Sequence, residues 1–213
     1  FGGIPGIDQV IAINSESLRR DGPPAIPVEA ADRLAETARA VRDRHAALLE
    51  RRRAAGKVKR CHGDLHLGNI CLIDGAPTLF DCIEFNEGLA SIDVLYDLAF
   101  LLMDLRFRGL AAEAAIVFNR YFDVSDESDG LALMPLFLAL RAWVRAHVTA
   151  TAARLNPSAD KQALARRYFD FAVALLQPAA PRLIALGGFS GTGKSTVAAI
   201  LAGRISARVL RSD

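Results

Sequence analysis

Cysteine is scarce in this sequence. There are three, Cys61, Cys71 and Cys82, and no C-x-x-C pair. With no secretory signal in view, an odd count reads as reduced thiols in a cytosolic protein. A zinc site built from these thiolates and a histidine is the competing reading, weakened by the wide spacing. No run of about twenty apolar residues stands out, so no membrane-spanning helix is expected. Charge of one sign is also missing. Lys and Arg total 26 against 24 Asp and Glu, a net +2. The total therefore gives no strong pull toward nucleic acid or an anionic membrane. A methionine start is absent, and the last residues read as the beginning of a strand. Both ends thus read as cut, and the targeting signals that a true terminus carries are not legible.

What is there is a chain of 213 residues, 52% hydrophobic and 23% charged, enough for one full domain and part of another. Residues 1–28 are broken by Gly2-Gly3, Pro5-Gly6 and Pro23-Pro24, so loops are expected with a short helix over Asp8–Leu18. Residues 29–55 predict one long helix, with Leu34, Ala38, Val41, His45, Leu48 and Leu49 forming an apolar stripe and Gly56 ending it. Arg51-Arg52-Arg53 then falls in the last turn, where a solvated helix end suits the dipole. A nucleic-acid patch is disfavoured because no aromatic residue is interleaved. Helices are expected again over 92–105, 110–122, 131–155 and 161–177. Asp93, Asp97 and Asp104 punctuate the first of these, and Asp97 must find a partner, plausibly backbone amides of a neighbouring loop. Arg141, Arg145 and Arg154 either line an anionic site or sit on the surface.

Between these helices lies the densest chemistry, Arg60-Cys61-His62-Gly63-Asp64-Leu65-His66-Leu67-Gly68-Asn69, followed by two short strands and Asp81. Ile70–Ile73 and Thr78–Phe80 read as a hairpin around the turn dipeptide Asp74-Gly75. The hairpin carries Asn69 on one arm and Asp81 on the other. Asp64 and Asn69 stand at the D-x-x-x-x-N spacing of a phosphoryl-transfer loop, where Asp accepts a hydroxyl proton and Asn holds Mg²⁺. Asp81 offers a second hard oxygen donor. A polar hairpin turn is the bland alternative, and the length of the run argues against it. Glu84 and Glu87 stand equally as metal or substrate contacts and as surface carboxylates.

His62-Gly63-Asp64-Leu65-His66, Gly68-Asn69-Ile70, Phe80-Asp81 and Tyr96-Asp97-Leu98-Ala99 together resemble the aminoglycoside phosphotransferase (kinase-like) family, over roughly residues 1–177. The resemblance is nearest to a bacterial subgroup with a C-terminal P-loop kinase or AAA-type ATPase domain. It implies a mainly α fold with a small β-hairpin, the large lobe of a protein-kinase-like structure. It also implies Asp64 as catalytic base, Asn69 and Asp81 as Mg²⁺ ligands, and Asp97 as a structural support for the loop. His66 and Glu84 become candidate substrate contacts. Leu67 departs from the family's proline. The nucleotide-covering small lobe, with its glycine-rich loop and V-A-I-K-type strand, is not in residues 1–28; if the protein has one, it is expected before Phe1.

A second motif follows a stiff linker at 178–181. Leu183–Leu186 reads as a strand, and Gly188-Phe189-Ser190-Gly191-Thr192-Gly193-Lys194-Ser195 matches G-x-x-x-x-G-K-[ST] in full. A helix is expected from Thr196 to Gly203. Gly188, Ser190, Gly191, Thr192, Gly193, Lys194, Ser195 and Thr196 are the candidate nucleotide-binding residues, with Ser195 toward Mg²⁺. Residues 182–213 therefore read as the truncated start of an α/β P-loop domain. Arg208–Asp213 reads as its second strand, with Asp213 a candidate acceptor contact.

The combined expectation is an ATP- and Mg²⁺-dependent kinase acting on the hydroxyl of a small molecule, joined to a second nucleotide-binding centre, cytoplasmic, with neither nucleic acid nor membrane as partner. Two rivals remain: a regulatory module that binds nucleotide or ligand without turnover, and an NTPase switch whose first domain is a partner module. Acceptor and oligomeric state are not legible.

Overall fold

The computed structural model describes residues 2–178 and 180–211. Glycine and proline at the start do not prevent a helix: α1 runs over Gly3–Asp21, because Pro5 falls in the first turn, where no intrahelical N–H is needed. Ile7, Ile11, Asn14 and Leu18 recur at helical spacing and are buried. The single helix expected over 29–55 is two, α2 (Val28–Arg44) and α3 (Ala46–Ala54), broken at His45. The apolar stripe is continuous across the break, which is why periodicity alone hid it.

A three-residue strand β1 (Val58–Arg60) leads into the loop around Asp64. The hairpin β2 (Ile70–Ile73) and β3 (Ala76–Leu79) follows, with Ile73 opposite Ala76. Its two turn residues, Asp74 and Gly75, both have positive φ, as a two-residue hairpin turn requires. A short α4 (Glu87–Ala90) and β4 (Ser91–Asp93) come next. β4 pairs antiparallel with β1, placing Val58 opposite Asp93. Four helices complete the body: α5 (Val94–Phe107), α6 (Ala111–Val124), α7 (Met134–Leu155, with Pro135 in its first turn) and α8 (Ala159–Leu175).

α7 is the central packing element. It lies against α8, α5 and α1, and Leu136, Phe137, Leu140, Ala142 and Trp143 on it are buried. By length and composition, Ser128–Leu155 is apolar enough to cross a bilayer, contrary to the expectation that no segment would be. Yet 61% of its most apolar window is buried inside the protein, as in a core helix.

The expected strand at 183–186 does not form, nor does any strand over 208–211. Among the described residues no further strand offers a ladder partner to either, and isolated strands leave backbone groups unpaired. The α/β sheet is thus not seen. Its helix is: α9 spans Lys194–Ile205 and packs against α6.

Candidate active site

The loop at 61–69 is fixed from beneath by α5. Asp97 Oδ2 accepts the His62 amide at 3.1 Å, and its Oδ1 accepts the Gly63 amide at 2.9 Å. The partner expected for Asp97 is therefore present. Two turns further on, buried Asp104 accepts the Leu67 amide at 3.0 Å and Arg108 Nε at 3.0 Å. Asp93 caps α5 through the Leu95 amide at 2.8 Å and takes two hydrogen bonds from Arg52. Each carboxylate that interrupts this apolar helix is satisfied, as burial demands. Gly63 has φ +81, and a Cβ there would lie 2.8 Å from Ile83 Cδ1, so only glycine fits the turn before Asp64.

Asp64 is half-buried and carries a small network. Asn69 Nδ2 donates to Asp64 Oδ2 at 3.0 Å and to its backbone carbonyl at 2.9 Å. His66 Nδ1 accepts the Gly68 amide at 3.0 Å, which leaves the proton on Nε2, 3.4 Å from Asp64 Oδ2. His66 also packs edge-on against Phe100, its centroid 5.3 Å away. The His66 contact is the largest influence on the Asp64 carboxyl. Together with Asn69 and the nearby Arg141 it outweighs burial and holds the pKa below the ordinary range. Asp64 is therefore ionised at neutral pH.

The hairpin brings Asp81 back to this network. The Phe80 amide donates to the Asn69 carbonyl at 3.1 Å, His62 Nε2 donates to the Phe80 carbonyl at 2.9 Å, and the Ile83 amide donates to the His62 carbonyl at 2.9 Å. Asp81 is held between these ties with φ 59, in the left-handed region that aspartate tolerates better than most residues. Because Asn69 turns its N–H₂ toward the Asp64 carboxylate, its Oδ1 has no protein partner among the described residues, and neither has the Asp81 carboxylate. An amide oxygen and a carboxylate on adjacent hairpin arms are the donor chemistry that Mg²⁺ takes.

Glu84 is exposed in the loop after Asp81 and among the described residues meets only Cys82 Sγ, at 3.8 Å, while Glu87 pairs with Arg60 at 3.3 Å. The zinc alternative finds no support. Among the described residues no group of three His, Cys, Asp or Glu side chains converges on a metal. Burial also pushes the Cys61 thiol up to about 12.

Two arginine readings need correction. Arg52 is not a solvated helix end. It is fully buried, with Nε and Nη2 on Asp93 at 2.8 and 2.9 Å, Nη2 on Glu127 at 2.6 Å, and Nη1 on Asp129. Burial alone would lower its pKa; the three carboxylates offset that and leave it raised. Nor do Arg141, Arg145 and Arg154 form one lining. Arg154 reaches Asp21 at 2.6 Å, and Arg145 stands over Tyr168. Arg141 is buried over the Tyr96 ring at 3.8 Å, with Nη2 3.8 Å from Asp97 Oδ1. Sequence reading named Asp104, Arg52 and Arg141 but gave Asp104 no partner, put Arg52 on a solvated helix end and left Arg141 between an anionic lining and the surface. The one available signal was charge placed inside an apolar helical run.

At the second motif, Gly191 and Gly193 have φ 78 and 83, and α9 begins at Lys194. Lys194 Nζ folds back on the carbonyls of Gly188 at 2.8 Å and Phe189 at 2.6 Å. Thr192 Oγ1 donates to the Phe189 carbonyl at 2.9 Å. Gly188, Ser190, Ser195 and Thr196 are on the same exposed loop and first helical turn. Asp213 lies outside the described residues. The motif is not remote from the first body: Asn119 of α6 donates to the Ala207 carbonyl at 3.0 Å and accepts the Val209 amide at 2.7 Å.

The model of the Phosphotransferase enzyme family matches residues 7–143. Uncharacterized proteins of Mycobacterium tuberculosis and Mycobacterium bovis are 37% identical over 165 residues, covering 75% of this chain and 33% of each relative. The chain thus spans about a third of the length of the curated relatives it matches. No solved structure matches it.

Proposed function

The chain belongs to the phosphotransferase enzyme family, and from that premise we propose that it transfers the γ-phosphoryl group of ATP to the hydroxyl of a small molecule. The observation that carries this reading is the ionised Asp64 carboxylate, oriented by Asn69 and His66 beside two unpartnered oxygen donors, Asn69 Oδ1 and Asp81. Asp64 accepts the hydroxyl proton as the oxygen–phosphorus bond forms and ADP leaves. Asn69 and Asp81 would hold Mg²⁺, which when bound would screen the phosphate charge. His66 is a positioning residue, its Nε2 turned toward Asp64 at 3.4 Å by the bond that Nδ1 accepts from Gly68. Backbone anchoring by Asp97 and Asp104 supports a preorganised loop, which electrostatic catalysis requires.

The finer reading is a second nucleotide site at Gly188–Thr196. The left-handed glycines and the α9 N-terminus support phosphate binding there. Lys194, seated on loop carbonyls, would exchange them for β- and γ-phosphate oxygens, with Ser195 on Mg²⁺.

Calorimetric titration of Mg-ATP into the protein, beside Asp81→Ala and Lys194→Ala, tests both. Two sites, each lost with its own substitution, are expected. A single site lost only with Lys194→Ala would make the first body a ligand-binding module rather than a kinase.

A further inference from the structure

A cavity of about 260 Å³ opens beside Asp64, walled by α1 and α7 and floored by Gly63 and Asp64. Ile7, Val10, Phe137 and Val144 make most of it apolar. Two buried polar side chains in its wall each keep a nitrogen without a hydrogen bond among the described residues. Asn14 is 1% exposed, and neither end of its amide makes a hydrogen bond among the described residues. Arg141 is 5% exposed. Its Nε serves the Tyr96 carbonyl at 3.0 Å, but Nη2 makes no hydrogen bond. Buried donors are rarely left so, and a cationic one least of all.

Among the described residues the wall carries two carboxylates, Asp64 and Asp93, and one arginine, Arg141; Asp93 is already bound by Arg52 and the α5 N-terminus. His147, also in the wall, is held neutral by burial, its pKa down to about 4. A polycationic ligand would add further charge beside Arg141, whose Nη2 already faces Asp97 at 3.8 Å and still lacks a hydrogen-bond acceptor. An anionic or oxygen-rich ligand would instead supply the acceptors that Arg141 and Asn14 lack.

We propose that this cavity is the acceptor site and that its substrate class is small hydroxy acids with an apolar body, the carboxylate read by Arg141 and Asn14 and the hydroxyl presented to Asp64. This rests on the phosphotransfer reading above. The hydroxyl oxygen gains the γ-phosphoryl group of ATP, its proton passes to Asp64, and the bond to the ADP oxygen breaks.

The test separates binding from transfer. Lactate, 2-hydroxyisocaproate and 3-phenyllactate are titrated calorimetrically without nucleotide, beside 2-phenylethanol and the polycationic amino sugar kanamycin. At least one hydroxy acid should saturate, about tenfold or more tighter than 2-phenylethanol, since a charge-assisted pair is at stake. Arg141→Met and Asn14→Leu should each weaken that binding, and Asp64→Asn should not. Melting curves accompany each variant. If Arg141→Met fails to fold, Asn14→Leu carries the comparison. Tighter kanamycin binding, no saturation by any hydroxy acid, or undiminished affinity in Asn14→Leu overturns the substrate class. Phosphorus NMR with Mg-ATP then reports transfer. A phosphorylated hydroxy acid supports both readings. Asp64-dependent phosphorylation of kanamycin alone keeps the kinase and removes the hydroxy acid. Binding with no product from any alcohol keeps the ligand class and removes the kinase.

Discussion

The two candidate phosphate-handling loops of this chain are held in opposite ways. The loop at 61–69 is fixed by distant side chains: Asp97 and Asp104 of α5 grip three of its backbone amides, and Phe100 backs His66. The loop at 188–193 is fixed by its own backbone, through left-handed glycines, one lysine and the first turn of α9. A base must be aimed at one proton to within tenths of an ångström, and that demands a supporting shell. A nest of amides around a phosphate needs only the right sequence of dihedral angles. The first kind of site is built by tertiary structure, the second by local structure.

Arg52→Met should break this contrast most severely. It leaves Asp93, Glu127 and Asp129 without their shared cation and should cost about 3–5 kcal/mol in chemical denaturation. Lys194→Ala, by comparison, should leave the denaturation midpoint unmoved. Next in size, Asp64→Asn should lower phosphoryl transfer by ~10²-fold or more with nucleotide affinity nearly unchanged. Unaltered steady-state turnover would remove Asp64 from the base role. A smaller effect sharpens the other side. Asn119→Ala removes the side chain that joins α6 to the segment after α9, and should cost about 1 kcal/mol per bond lost. Hydrogen exchange should quicken at 194–209 and stay constant at 61–69; equal quickening in both would mean that the two regions open together.

The mildest prediction concerns pH. Burial lowers the His147 pKa to about 4 from an ordinary 6.5, with the Asp21 charge opposing and Arg20 assisting the shift. The unfolded chain therefore binds the extra proton between those values, so stability should rise with pH from about 4 to about 6.5 and then level off. His147→Gln should flatten that rise in urea midpoints. Asp64 and Glu50, whose pKa values are lowered, contribute stability that fades only at more acid pH, as they are protonated.

The same contrast explains what could be read from the sequence. The hairpin turn Asp74-Gly75, the helix that begins at Lys194 and the placement of Asn69 and Asp81 at the ends of the two hairpin arms are short-range features with strong local signals. The partner of Asp97 was legible because a carboxylate inside an apolar helix has few places to go. Arg52 was misjudged because its partners are 41, 75 and 77 residues away, and three arginines in a row look the same whether one is buried or none. The strand at 183–186 was expected from its apolar run, but a strand exists only with a neighbour to pair with. The break at His45 was hidden because the apolar stripe runs on across it, and the length of α1 because Pro5 falls in a first turn that tolerates proline.

Asp93, Asp97 and Asp104 deserve a last look as intervals rather than as charges. Steps of four and seven residues keep them within roughly 40° of one another around the α5 axis. That axis works as a gauge, setting at once the end of β4, the turn before Asp64 and the turn before Asn69. A single inserted residue between Asp93 and Asp104 would rotate one part of the gauge by about 100° against the rest, and no side-chain adjustment spans that. The walls of the cavity, on α1 and α7, hold none of the three loop amides that Asp97 and Asp104 bind. An exchange of one side chain in the cavity would leave that spacing intact; a change in the number of residues in α5 would not.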